Sequence, residues 1–225
     1  MNGLFGQFAA AYVRGKLPDA CADLGEEELL RQGEAAGLRL NRFKRTSDLP
    51  RVRAALGAIR GIGPESLLDI GSGRGVFLWP LLDAFPQLAV TAIEPDARRR
   101  GHLEAVRDGG VGRLAVLGGE GETLPLADAS FDVVTILEVL EHQERPLPLA
   151  REAVRVARRF VIASVPLHPD DNPEHVHLFT AKTLRDLLTA AGARSVRIDH
   201  VPGHIVAVAA ANDREAGRPR GDGRT

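Results

Sequence analysis

Between residues 65 and 211 the chain alternates short apolar runs with amphipathic stretches, and that rhythm limits the folds open to it. The runs fall at 66–70, 89–93, 113–117, 132–137, 160–165, 195–198 and 205–210. Helical periodicity fills intervening stretches at 76–85, 96–107, 147–157 and 181–191. Continuous Val, Ile and Leu runs separated by helices suit strands buried on both faces of a parallel sheet, because the crossover helices cover both faces. Only a turn at Pro202 and Gly203 joins the last two runs. It is too short for a helical crossover, so these strands should pair antiparallel. The expectation is an α/β fold: a doubly wound, mostly parallel sheet of seven strands ending in a C-terminal antiparallel hairpin.

The flanks differ. Residues 1–60 read as a helical extension or lid, with Phe5, Phe8, Ala9 and Tyr12 at helical spacing, a second helix within 23–38 and a third over 49–59. Residues 61–211 form the main domain. Residues 212–225 carry Arg, Gly, Asp and Pro without a large apolar side chain and read as a disordered tail. Twenty-nine Lys and Arg against thirty Asp and Glu give a formal charge of −1, so no global basic field draws the chain to nucleic acid or anionic lipid. Aromatics at 4% leave few stacking platforms for bases. A single cysteine, Cys21, rules out an internal disulfide and any multi-thiolate zinc site, and it reads as a small buried hydrophobe. With no apolar stretch of membrane-spanning length and no export signal, the expected location is the cytoplasm.

Chemistry concentrates after the first run, where Asp69 and Ile70 lead into Gly71, Ser72, Gly73, Arg74 and Gly75. Glycines here let the chain bend tightly and let a ligand approach the backbone. The Lys-Ser/Thr pair of a phosphate P-loop is missing, and Val76 stands where a dinucleotide fingerprint needs glycine. At the end of the second run, Glu94 is placed to accept hydrogen bonds from ribose hydroxyls, Pro95 limits continuation of the strand, and Asp96 suits a helix cap.

These segments, together with 120–126 (Glu120-Gly121-Glu122-Thr123-Leu124-Pro125-Leu126), 130–134 and the run Leu137-Glu138-Val139-Leu140-Glu141-His142, resemble the class I S-adenosylmethionine-dependent methyltransferases. The resemblance implies a Rossmann-like fold and S-adenosylmethionine as cofactor. By it, Asp69 orients the methionine amino group, Gly71, Ser72, Gly73 and Gly75 shape the loop, Glu94 serves the ribose, Glu120 and Gly121 serve the adenine, Leu137 flanks the cofactor, and Pro95 completes the cofactor-binding set. The family often has Asp where this chain has Glu120. A sulfonium cofactor without phosphate also suits a glycine cradle with two carboxylates and no cation.

For the acceptor, Glu138, Glu141 and His142 follow the fourth strand, and His175 and His177 follow the fifth. Strand ends share one crevice in a doubly wound sheet, so these groups are candidates to converge. His142, with Glu138 and His177, is the expected catalytic set, and His142 the expected base. Glu138, Glu141, His142 and His177 are also similar to the metal-binding set of the small-RNA 3′-terminal 2′-O-methyltransferases, which implies a divalent ion (Mg, Mn or Zn) and an RNA acceptor. The same motifs are widespread in small-molecule O-methyltransferases, and a small-molecule acceptor is the leading expectation. A binding-only partner protein is the third reading, and a homodimer is compatible with all three. His102, His168, His200 and His204 belong to no constellation and read as surface or loop residues. Phe5, Phe8, Tyr12 and Phe43 suit either an apolar pocket or the core, and Arg42, Lys44 and Arg45 suit either an anion site or a solvated face.

Overall fold

The computed structural model describes residues 3–20, 24–169 and 172–211; Cys21 and the tail at 212–225 lie outside them. Seven strands, β1 (Ser66–Ile70), β2 (Ala89–Ile93), β3 (Leu114–Leu117), β4 (Phe131–Leu137), β5 (Ala157–Pro166), β6 (Ser195–Val201) and β7 (His204–Ala210), form one sheet in the order β3-β2-β1-β4-β5-β7-β6. The first five run parallel, and β7 pairs antiparallel with both β5 and β6. The doubly wound, mixed-edge sheet matches the expectation from the apolar runs.

Helices α1 (Gly6–Lys16), α2 (Glu26–Ala35), α3 (Pro50–Ile62), α4 (Leu78–Ala84) and α5 (Ala97–Asp108) bury their apolar residues with one sheet face, where Leu67, Val90, Val133 and Ile162 point. Helices α6 (Pro146–Val156) and α7 (Ala181–Ala190) pack with the other, lined by Leu68, Val134, Ala163 and Ala207. Adjacent strand residues such as Leu67 and Leu68 thus serve opposite cores, as the period-two geometry of a strand demands.

Three of the boundaries that differ from the sequence expectation have local causes. Strand β5 starts at Ala157, directly where α6 ends, because Arg158 and Arg159 are spent on neighbours: Arg158 Nη1 lies 3.0 Å from Asp132 Oδ1, and Arg159 Nη2 donates to the Ile62 carbonyl at 3.0 Å. Strand β6 continues through Asp199 and His200 to Val201, since an edge strand tolerates polar residues. Helix α4 begins at Leu78, not Val76, because Gly75 has φ +85° and the glycine bend continues through Phe77.

The N-terminal aromatics are core. Phe8 and Phe43 both pack on Trp79, with ring centroids 5.7 and 5.1 Å away, and Tyr12 packs on Phe43 at 5.4 Å. This cluster ties the extension to the helix that follows the glycine bend.

Candidate active site

The glycine bend is held at its start by backbone pairing: the Gly71 and Ser72 amides donate to the Ile93 carbonyl at 2.8 and 3.2 Å. Gly71, Gly73 and Gly75 have φ of +76°, +58° and +85°, a region that side chains disfavour. A Cβ on Gly71 would strike Val139, and one on Gly75 would strike the Trp79 indole. The bend therefore requires glycine for conformation and for space.

Two carboxylates are buried beneath it. Asp69 Oδ2 accepts from the Ser72 hydroxyl at 2.6 Å and Oδ1 from the Thr135 hydroxyl at 2.7 Å. Burial pushes the Asp69 carboxyl above its usual range, the two hydroxyl bonds oppose that rise, and the nearby charge of Glu94 adds to it. Glu94, only 2% exposed, accepts from the Gly73 amide at 2.6 Å and the Asp96 amide at 3.0 Å. One glutamate thus connects the bend after β1 to the chain after β2. Arg100 braces the same strand end by donating to the Glu94 and Pro95 carbonyls, each at 3.1 Å. Asp96 caps α5 through the Arg99 amide at 2.7 Å, as its position suggested.

A cavity of about 160 Å³ opens above the bend, lined by Asp69, Gly71, Ser72, Gly73, Leu137 and Glu138 on the strand side and by Arg51, Val52, Arg74, Val76 and Phe77 on the other. The expectation of a cradle without cations is corrected here, because Arg51 and Arg74 both face it. Gly121 lies outside this lining, on the loop after β3, where a Cβ would meet Leu149 and Ile70; neighbouring Glu120 is exposed.

Glu138 stands at the tip of β4 with φ +58°, an uncommon conformation for a side-chain-bearing residue. Its amide donates to the Ser164 carbonyl at 3.0 Å, which anchors the turn. Its carboxylate accepts from the Ser164 hydroxyl at 2.6 Å, and one oxygen lies 3.0 Å from His204 Nε2 and 3.6 Å from Arg51 Nε. Four segments distant in sequence thus meet at one carboxylate. The reading of His204 as an isolated surface or loop residue is corrected: it opens β7 opposite Pro166, which brings it beside the β4 tip. The strand order places it there, since pairing the last strand against the fifth sets its first residue at the sheet's ligand end, which the hairpin alone does not reveal. Arg51 likewise carried no signal of its placement.

His142 and His177 occupy a neighbouring position outside the cavity lining. His142 Nδ1 lies 3.0 Å from the Glu174 carbonyl and His177 Nε2 lies 3.1 Å from the Glu144 carbonyl. Carbonyls only accept, so these ring nitrogens carry protons. Of the four residues expected to hold metal, Glu141 and His142 come together, with His175 as the third member; their ligand atoms lie within 4.8 Å of one another. Glu138 turns to Arg51 and His204, and His177 turns to Glu144. His102 also has a specific setting, edge-on to Tyr12 at 5.7 Å, with its pKa lowered to about 4 by burial and the charges of Arg42, Lys16 and Arg98.

Comparison with known proteins agrees with this geometry. A family model described as a methyltransferase domain matches residues 68–161, from β1 into β5. Over that segment the chain is similar to the S-adenosylmethionine-dependent methyltransferases. A protein of Mycobacteroides abscessus described as an uncharacterized methyltransferase is 35% identical over 105 residues, 45% of this chain and 38% of that one. A malonyl-[acyl-carrier protein] O-methyltransferase of Methylococcus capsulatus is 29% identical over 160 residues, 64% of this chain and 58% of that one. The alignments thus span 38% and 58% of these two curated relatives. Among solved structures, an S-adenosylmethionine-dependent methyltransferase from Aquifex aeolicus superposes with a TM-score of 0.61 at 22% identity, covering 74% of this chain and 92% of that one, which establishes the shared fold. Among the described residues no helix is long and apolar enough to cross a membrane.

Proposed function

We propose that this chain methylates an oxygen of a small-molecule acceptor, using S-adenosylmethionine held over the glycine bend. The observation that carries the reading is the cavity in which Asp69, the side-chain-free bend, Arg51 and Glu138 face one another. When bound, the cofactor supplies a methyl group on a sulfonium, and rate then depends chiefly on holding the nucleophile about 3 Å away and in line.

The chain's own groups suit that task. The methionyl portion is a zwitterion, so Asp69 attracts its amino group while Arg51 attracts its carboxylate. Glu94 spends one hydrogen bond per oxygen on the Gly73 and Asp96 amides, and its remaining lone pairs suit ribose hydroxyls. Glu120 and Gly121 border the adenine side, Pro95 follows Glu94 at the strand end, and Leu137 supplies apolar contact. At the acceptor end, Glu138 accepts the hydroxyl's hydrogen bond and takes its proton as the oxygen attacks. Ser164, His204 and Arg51 hold that carboxylate in its strained position.

The test has two arms. Calorimetry should show stoichiometric binding of S-adenosylhomocysteine to the full chain, and methyl-tritiated cofactor should label a small molecule in a cell extract. Binding without transfer to any fraction would favour a binding-only partner; label in RNA would overturn the small-molecule reading.

A second reading, divalent-metal assistance, is favoured by the cluster of Glu141, His142 and His175. Two imidazoles and a carboxylate suit a borderline ion such as Zn or Mn. The expected signature is metal retained by the purified chain and released in a His175→Ala variant. Metal-free protein with chelator-insensitive transfer would exclude this reading.

A further inference from the structure

Beside the cofactor cavity lies a second, larger basin of about 470 Å³, lined by Arg39, Asn41, Arg42, Lys44, Thr46, Arg74, Val76, Arg98, Arg99 and His102. Three segments build it: the turn at 39–46 in the extension, the glycine bend, and the first two turns of α5. The Thr46 hydroxyl donates to the Val76 carbonyl at 2.7 Å and pins the first segment to the second. Six cationic side chains line the basin, without an aspartate or glutamate, in a chain whose formal charge is −1. Among the described residues none of the six forms an ion pair with a carboxylate. Their charges act on one another: Arg39, Arg98 and Arg74 add to the burial that lowers the pKa of Arg42, and Arg42 and Arg98 add to the burial that lowers that of His102. Arg42 is held in place by stacking over Tyr12 at 5.1 Å and by donating to the Arg39 carbonyl at 2.9 Å. Arg45, adjacent in sequence, turns away to Phe5 and the Leu4 carbonyl, so the grouping is spatial and not a basic run.

We propose that this basin seats the phosphate or diphosphate group of the methyl acceptor, an inference that rests on the methyltransferase reading above. Arg74 and Val76 line both basin and cofactor cavity, so a ligand anchored in the basin borders the site of transfer. Guanidinium forks match phosphate oxygens, and six positive charges exceed what one carboxylate would balance. The shape is a small-molecule cleft, and its only aromatic lining group is His102, which provides no platform for stacked bases.

The probe is inorganic pyrophosphate, titrated calorimetrically into the full chain at low and physiological salt. Wild type should bind it, more weakly as salt rises. The Arg98→Gln/Arg99→Gln double variant, on the exposed start of α5, should lose affinity at least about tenfold, or ~1.4 kcal/mol, while binding S-adenosylhomocysteine as wild type does. Equal pyrophosphate affinity in both proteins, or binding of an oligonucleotide or acidic polypeptide in place of pyrophosphate, overturns the proposal. The methyl-labelled product from extract should bind an anion exchanger and lose charge on phosphatase or pyrophosphatase treatment; a product without phosphate overturns it too. Loss of S-adenosylhomocysteine binding in wild type would instead count against the methyltransferase reading, so the two failures are distinct.

Discussion

The two ends of the candidate site are built differently. On the cofactor side, Asp69 and Glu94 are 3% and 2% exposed and accept four short hydrogen bonds from nearby backbone and hydroxyl groups. On the acceptor side, Glu138 keeps 24% of its side chain exposed, sits at φ +58°, and takes its partners from α3, β5 and β7. The carboxylates of the first end are held without a hydrogen bond from the extension, although Arg51 and Val52 line the cavity above them; the carboxylate of the second is held by partners from both the extension and the terminal hairpin. Cofactor capture and acceptor chemistry should therefore fail separately under mutation.

The largest effect is expected at Glu94. Glu94→Ala removes the acceptor for the Gly73 and Asp96 amides as well as for the ribose, and cofactor affinity should fall about a thousandfold, the ~4 kcal/mol that two charge-assisted hydrogen bonds represent. Isothermal titration checks it, and an affinity within a few-fold of wild type would break the contrast. Next comes Glu138→Gln, which keeps shape and removes the proton acceptor. Turnover of the labelled acceptor should drop about a hundredfold with cofactor affinity little changed. Parallel loss of both would mean that the two ends are one unit.

Reading these ends from sequence succeeded unequally for a physical reason. Asp69, Ser72 and the three glycines lie within seven residues, and Glu94 closes the adjacent strand, so short-range spacing plus the parallel-sheet rule finds them. The carboxylate at 138 could be singled out, yet its partners Arg51 and His204 lie 87 and 66 residues away, and only the strand order β5-β7-β6 brings His204 there. The aromatics of the extension were ambiguous between pocket and core because amphipathic spacing reports a buried face, not what covers it. The same applies to Arg42 and Lys44, whose basin is completed by Arg98 and Arg99 from another helix. Arg158 and Arg159 hid the start of β5 because polar residues with specific partners interrupt an apolar run.

Smaller effects sharpen the comparison. Thr135→Val leaves Asp69 buried with only the Ser72 hydroxyl as partner, so stability should fall by about 1–3 kcal/mol, lowering the melting temperature by several degrees. No change would mean that Asp69 is already protonated and indifferent to that bond. Smallest is the acid response of His102. Its pKa of about 4, against an ordinary 6.5, means that the unfolded chain binds the proton first. Stability should thus decline as pH falls from about 6.5 toward 4, and His102→Gln should flatten that decline in a melting series. An unaltered slope would remove His102 as its source.

The central claim is that the side-chain-free bend, with Asp69 and Glu94 beneath it, captures a sulfonium nucleoside. Calorimetric titration of S-adenosylmethionine into wild-type chain and Glu94→Ala tests it most directly. The account predicts one molecule bound per wild-type chain and a binding isotherm too weak to resolve for the variant at the same concentrations. A folded wild-type chain that takes up neither S-adenosylmethionine nor S-adenosylhomocysteine would contradict it.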